Sequence, residues 1–170
     1  MLGAEGLGDK RITIEFRKDR ITIARSRGEQ APAGFTTVPF RAKHHRGMQV
    51  DARVGPVRAT ALIDTGAQMS VGNLALREAL TRRRQSAGEL QEEIIGVTED
   101  IQYAARVRIP TIIAGSLLVS GAHINFADLF IFEHWKLDQR PSILIGMDVL
   151  GVLDTLIIDY RRRELQIRTR

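Results

Sequence analysis

The sequence predicts a mainly β domain, a barrel or folded-over sheet with short helices, and three observations carry that expectation. Short runs alternate apolar and polar residues, as in Ile12-Thr-Ile-Glu-Phe and Leu156-Ile-Ile-Asp-Tyr. Turn signals such as Gly55-Pro56 and Ala114-Gly115-Ser116 separate these runs. Only residues 73–83, rich in Leu, Ala, Arg and Glu, have the composition of a longer helix, with Asn73 as its N-cap.

Taken in order, residues 12–16 and 20–23 alternate around Arg17-Lys-Asp and predict a tight hairpin. Residues 36–42 and 48–54 form a second strand pair around His44-His45-Arg46-Gly47. After Gly55-Pro56, residues 57–63 run as a strand into Asp64-Thr65-Gly66-Ala67. Beyond the helix, Ser86-Ala-Gly-Glu reads as a loop, and residues 93–97 against 101–109 as a hairpin with Thr98-Glu99-Asp100 at its tip. Pro110 closes that strand, and Thr111-Ile-Ile turns at Gly115 into 117–126. Residues 142–145 are a short buried strand, 148–152 one or two helical turns, and 156–160 with 164–168 a final hairpin around Arg161-Arg162-Arg163.

The chain has 170 residues, 44% apolar and 26% charged, which suits one core-forming unit and excludes a disordered class. No apolar run reaches the roughly 18 residues of a membrane span. The start lacks a basic region followed by an apolar core, so no signal peptide is expected in this chain, and the compartment stays open. Absence of cysteine excludes disulfides, thiol catalysis and thiolate zinc sites. The net charge of +5 raises nucleic acid as a partner. Against it, the basic clusters at 43–46, 82–84 and 161–163 lie beside no aromatic platform, with six Phe, two Tyr and one Trp spread thinly. Solvated turns are the better reading.

One internal repeat stands out. Ile12-Thr-Ile-Glu-Phe-Arg-Lys-Asp-Arg-Ile-Thr-Ile matches Leu156-Ile-Ile-Asp-Tyr-Arg-Arg-Arg-Glu-Leu-Gln-Ile in chemical type at nearly every place. With one residue deleted, Leu2-Gly-Ala-Glu-Gly-Leu-Gly extends the match back to Ile145-Gly-Met-Asp-Val-Leu-Gly. Residues 1–33 are therefore expected to be a hairpin segment resembling the end of a preceding repeat, and 34–170 the domain proper. Convergence of two arginine-tipped hairpins is the bland alternative.

The stretch with chemistry is Ala61-Leu-Ile-Asp-Thr-Gly-Ala-Gln-Met-Ser, an apolar strand that delivers one carboxylate onto a loop of small residues. Two carboxylates that share a proton and a water must bring their backbones close together. Gly66 removes the blocking Cβ, Ala67 keeps the next position small, and Thr65 offers a hydroxyl to a facing loop. About eighty residues on comes Ile143-Leu-Ile-Gly-Met-Asp-Val-Leu, a hydrophobic strand that meets Gly146 and turns into a helix.

In that order the two motifs resemble the retroviral-type aspartic proteases, the retropepsins, and their bacterial and eukaryotic single-domain relatives, over residues 35–170. The resemblance implies an acid-protease barrel with Asp64 as catalytic aspartate, supported by Thr65, Gly66 and Ala67. It implies that Leu144, Ile145 and Gly146 form the strand behind the catalytic loop. It also implies a flap over the substrate cleft, at Ile95, Gly96, Val97 and Thr98. That segment departs from the retroviral pattern, with one glycine and an acidic tip at Glu99-Asp100. With a single Asp-Thr-Gly, the resemblance further implies a homodimer, or a pseudo-dimer with a preceding repeat. Asp148, Asp154 and Asp159 are poor substitutes for the second aspartate, since no small-residue loop follows any of them. Asp148 reads as exposed or helix-capping, and Asp159 as pointing out of its strand.

Other candidates read as structure. His44 and His45 lack a third ligand at useful spacing, and neither His123 nor His134 belongs to a His-Glu-x-x-His motif, so no metal is expected. Ser70 lacks a Gly-x-Ser-x-Gly context. Residues 2–8 lack the strand and the Gly-Lys-Ser/Thr of a phosphate loop. Phe130, Phe132 and Trp135 read as core or cleft-wall residues, core being the better reading. The leading function is an aspartic endopeptidase acting on polypeptide, without cofactor, through a pair of Asp64 carboxylates across a dimer. A non-cleaving interaction module of the same fold is the alternative from another class. An intact Asp-Thr-Gly-Ala weighs against it and the atypical flap weighs for it.

Overall fold

The computed structural model describes residues 7–42, 47–87, 105–115 and 117–170. The expected turn at 43–46 and the expected flap residues Ile95, Gly96, Val97 and Thr98 lie outside the described residues. Along the chain, β1 (Lys10–Glu15) and β2 (Arg20–Arg25) form a hairpin, followed by β3 (Thr36–Pro39) and β4 (Arg41–Ala42). Next come β5 (Met48–Val54), β6 (Val57–Ile63), β7 (Val71–Gly72) and α1 (Leu74–Ala87). The remainder is β8 (Ala105–Ala114), β9 (Leu117–Phe126), α2 (Phe130–His134), β10 (Ser142–Ile145), α3 (Met147–Leu150), β11 (Thr155–Asp159) and β12 (Glu164–Arg168).

Alternation creates the barrel. In β5, Val50, Ala52 and Val54 are buried while Asp51 and Arg53 are exposed, the period of a strand with one face in a core. The two-residue loop Gly55-Pro56 sets Val54 opposite Val57, and Gly55 takes a φ of 54°, which suits the twist of a tight hairpin. Hydrogen bonds run in the order β5-β6-β10-β7-β9-β8, and β5 pairs again with β8, closing a six-stranded barrel. Inside lie Val50, Val54, Ala61, Ile109, Ile124, Phe126 and Ile143. A smaller cluster of Leu62, Phe132, Leu137 and Leu144 seals the barrel under α2. The second sheet runs β2-β1-β11-β12-β3.

Several expectations change. Residues 36–42 divide: β3 pairs with β12, and only β4 pairs with β5. Pro110 does not end its strand. Register passes from Ile109↔Ala122 to Thr111↔Ser120, so Pro110 and Gly121 (φ 67°) meet at an interruption of the ladder where no amide is needed. The helix extends through Ala87, beyond the expected 83, because Arg and Gln favour helix and the Glu78–Arg82 pair sits one turn apart. Phe132 is core as expected, but Phe130 is 75% exposed, since the short α2 turns only one of the two rings inward.

The largest correction is Asp159, which is fully buried (0% exposed). It does face away from Leu156 and Ile158, as alternation requires, but residues of the N-terminal segment cover that face. Arg11 donates to its carboxylate at 2.8 Å, the Ser26 hydroxyl at 2.9 Å and the Arg162 backbone N–H at 3.0 Å. Burial pushes the carboxyl up, but the Arg162, Ser26 and Arg11 hydrogen bonds outweigh it and hold it below its ordinary value. The stabilisation is therefore complete above the ordinary pKa of 3.8 and is lost as pH falls through the lower value in the fold. Replacing Asp159 by Ala leaves Arg11 and Ser26 facing an empty site. We expect a loss of about 3 kcal/mol at neutral pH in urea unfolding, shrinking as pH drops below 4.

Candidate active site

The site begins where β6 ends. Leu62 and Ile63 pair in parallel with Leu144 and Ile145 of β10, and the Asp64 N–H extends that ladder to the Ile145 carbonyl at 3.1 Å. The chain then leaves the sheet in a turn closed by its own aspartate: the Gly66 N–H donates to Asp64 Oδ1 at 2.9 Å, and the Ala67 N–H to the Asp64 carbonyl at 3.3 Å. A Cβ on Gly66 would lie 3.2 Å from that carboxylate oxygen. Asp64 is half-buried, Thr65 and Gly66 are exposed, and Ala67 packs against the small cluster beneath α2.

The far side of the loop is strapped to the start of α3. Met147 and Asp148 donate backbone N–H bonds to the carbonyls of Ala67 (2.8 Å) and Gln68 (3.1 Å). Approach is so close that a Cβ on Gly146 would sit 2.7 Å from the Met69 carbonyl carbon and oxygen and 2.9 Å from the Ala67 oxygen. Ser70 completes the strap. Its hydroxyl donates to Asp148 Oδ1 at 2.7 Å and accepts from the Gly146 N–H at 3.0 Å, while its own N–H reaches Asp148 Oδ2 at 3.0 Å. Beyond Ser70, β7 lies antiparallel to β10 and parallel to β9, so β10 stands between β6 and β7 with the Asp64 loop at its end.

Asn73 anchors the next step. Its Oδ1 accepts from the Leu76 N–H, capping α1, and from the Ser142 N–H, while its amide donates to the carbonyls of Leu137 and Arg140. One side chain thereby ties the helix that leaves the loop to the segment that enters β10.

The expected site residues Asp64, Thr65, Gly66, Ala67, Leu144, Ile145 and Gly146 thus come together. Ser70 and Asp148 belong to the same cluster, a pairing that sequence reading missed. Asp148 is exposed, as expected, but it lies within α3, whose N-cap is Gly146; its carboxylate accepts from the adjacent Val149 N–H and holds the loop. The signal was an aspartate two residues beyond a glycine at a helix start. The other acids are engaged elsewhere. Arg168, then Thr155, hydrogen-bonds Asp154 and holds its carboxyl below the ordinary range, while Asp159 belongs to Arg11 and Ser26. His134 lies against the Phe130 ring, and His123 lies within β9. Among the described residues, no three His, Asp or Glu side chains gather as a metal-binding group.

The strap yields two expectations for urea unfolding. Gly146→Ala forces a methyl into backbone atoms that cannot retreat as a side chain would, and should cost about 1–3 kcal/mol. Ser70→Ala leaves the buried Gly146 N–H without its acceptor and should also cost about 1–3 kcal/mol.

The sequence profile of the family described as Aspartyl protease matches residues 50–149. No curated protein matches the chain. Among solved structures, the chain is similar to a retropepsin-like aspartic protease from Rickettsia conorii, with 17% identity, a TM-score of 0.48 and 84% of this chain covered against 96% of that one. It is also similar to the retroviral protease-like domain of Ddi1 from Leishmania major, with 16% identity, a TM-score of 0.46 and coverage of 79% and 95%. A third is the aspartic proteinase of Irpex lacteus, with 13% identity and a TM-score of 0.47, where 88% of this chain spans 51% of that one. The profile covers more than half of the sequence, from β5 through the Asp64 loop to α3, and the chain therefore belongs to the aspartyl protease family.

Proposed function

We propose that the chain is one lobe of an aspartic endopeptidase, with Asp64 supplying one of two carboxylates. The observation that carries this is the contrast between Asp64 and the aspartates that follow the second motif. Asp148, Asp154 and Asp159 each accept from a serine hydroxyl or an arginine, whereas among the described residues the Asp64 carboxylate accepts from the Gly66 N–H of its own turn alone. Its carboxylate is oriented by a rigid loop yet open on one side. The second carboxylate comes from a facing lobe, either a second copy of this chain or a preceding repeat.

Between the two carboxylates sits a water, with one proton shared by the pair. The ionised carboxylate takes a proton from the water as its oxygen attacks the peptide carbonyl carbon. The protonated carboxyl gives its proton to the carbonyl oxygen, forming a gem-diol. The carboxyl that took the water proton then gives it to the amide nitrogen, a gem-diol hydroxyl returns its proton to the other carboxylate, and the C–N bond breaks to leave acid and amine with the pair again singly protonated. The backbone of an extended substrate pairs with strand edges, while side-chain pockets set preference.

Because only the singly protonated pair is competent, hydrolysis of unfolded protein should be bell-shaped in pH and should stop with a peptide carrying a hydroxyl isostere. Asp64→Asn in the assembled protein should leave the fold unchanged by circular dichroism and reduce kcat at least about a hundredfold. Cleavage that survives in pure Asp64→Asn protein would sink the mechanism, and folded, assembled wild type without cleavage would favour the interaction module.

A further inference from the structure

The N-terminal hairpin copies the C-terminal one in structure as well as sequence. By the repeat, Ile12 corresponds to Leu156, Thr13 to Ile157 and Ile14 to Ile158. In the sheet, Ile12 faces Ile158, Thr13 faces Ile157 and Ile14 faces Leu156. Exchanging the two hairpins therefore maps the pairing onto itself, about a local two-fold axis between Thr13 and Ile157. Two bonds beyond the ladder obey the same axis: Phe16 N–H to the Asp154 carbonyl at 3.1 Å, and Tyr160 N–H to the Lys10 carbonyl at 3.0 Å. The turns correspond too, since Asp19 (φ 45°) and Arg163 (φ 56°) occupy matching places in the left-handed region.

Burial breaks this symmetry. Ile23, Ile12, Ile158, Leu165 and Val38 form one cross-strand row, and Ile21, Ile14, Leu156, Ile167 and Thr36 form the next, all on one face. Over β11 and β12 that face is covered by the barrel, with Leu156, Ile158, Leu165 and Ile167 buried. At the matching places over β2, Ile21 is 65% exposed and Ile23 is 52% exposed.

We propose that a second lobe of this same fold, directly preceding β1 in the polypeptide and closed by the β1–β2 hairpin, covers Ile21 and Ile23 as the barrel covers Leu165 and Ile167. Resting on the proposed function, that lobe is the one that brings the second carboxylate to Asp64. A second copy of the present chain does not fit the position. Its own barrel is already covered by β11–β12, and the β11 edge it would need here is occupied by β1. The complementary partner is a barrel whose covering hairpin is β1–β2 itself, which is what a preceding repeat ending in β1–β2 supplies.

The chain contains no cysteine, so Ile157→Cys reports on the axis directly. In residues 1–170 at high concentration this variant should give no interchain disulfide, because Thr13 holds the facing position. A disulfide-linked dimer of Ile157→Cys chains would overturn the proposal by showing that a second copy takes the edge. The polypeptide as its source makes it, weighed intact by mass spectrometry, should carry an additional lobe with its own aspartate loop before β1. A natural polypeptide of only 19.0 kDa would equally overturn it. Ile21→Lys with Ile23→Lys should leave the melting temperature of residues 1–170 unchanged and lower that of the natural polypeptide; equal effects in both would count against the covered face. The two readings fail separately. A two-lobed polypeptide that cleaves with Asp64→Asn defeats the mechanism alone, and a disulfide-linked Ile157→Cys dimer that cleaves defeats the second lobe alone.

Discussion

The insertion of β10 between β6 and β7 is the contact on which the rest of the molecule depends. Parallel pairing of Leu144 and Ile145 with Leu62 and Ile63 brings Gly146 against the Asp64 loop, and the missing side chain at 146 permits backbone to touch backbone. Four short polar links then fix the loop: the N–H groups of Met147 and Asp148, the Ser70 hydroxyl and the Asp148 carboxylate. The proposed pair of carboxylates would need such fixing, since a small displacement separates groups that must meet at hydrogen-bond distance. In the proposed chemistry Ser70 and Asp148 are positioning residues, tied to the loop that carries Asp64.

The second sheet solves a different problem. β1 would end as an open edge and β11 as another, and pairing the two removes both. The pairing also buries a carboxylate, which is tolerable only because Asp159 receives Arg11, Ser26 and the Arg162 N–H together. Such a cluster gives little net stability over an apolar replacement, but it penalises a slipped register heavily. Displacing β1 by two residues would strand Arg11 and Asp159 apart. The ion pair therefore reads as a register lock for the hairpin.

Much of this was legible in the sequence because it is local. Alternation marked most strands, Gly55-Pro56 and Gly115 marked turns, and Asn73 announced the start of α1. The Asp64 loop was legible for a related reason, as small residues after an apolar strand have few structural uses. What stayed hidden depends on long-range contacts. Nothing near Asp159 shows that Ser26 and Arg11 will cover its outward face, and nothing near Asp148 shows that Ser70 waits at the other end of the loop. Pro110 misled because a breaker was met by Gly121, a neighbour far along the chain that leaves no amide ladder to break. Phe130 and Phe132 differ only in which side of a five-residue helix they occupy, and composition is blind to that.

The strap between Ser70 and Asp148 joins segments 78 positions apart, which gives the site an order of birth. A ribosome adds roughly 5–20 residues per second, so the Asp64 segment emerges several seconds before Gly146 and Asp148 follow. During that interval the aspartate stands on a strand without the neighbour that shapes its loop. The acid therefore matures only when nearly the whole domain has been made, and a chain interrupted before β10 carries Asp64 without the means to aim it. On the proposed function, peptide hydrolysis is thus the last property the polypeptide acquires as it is made, by the order of its strands alone.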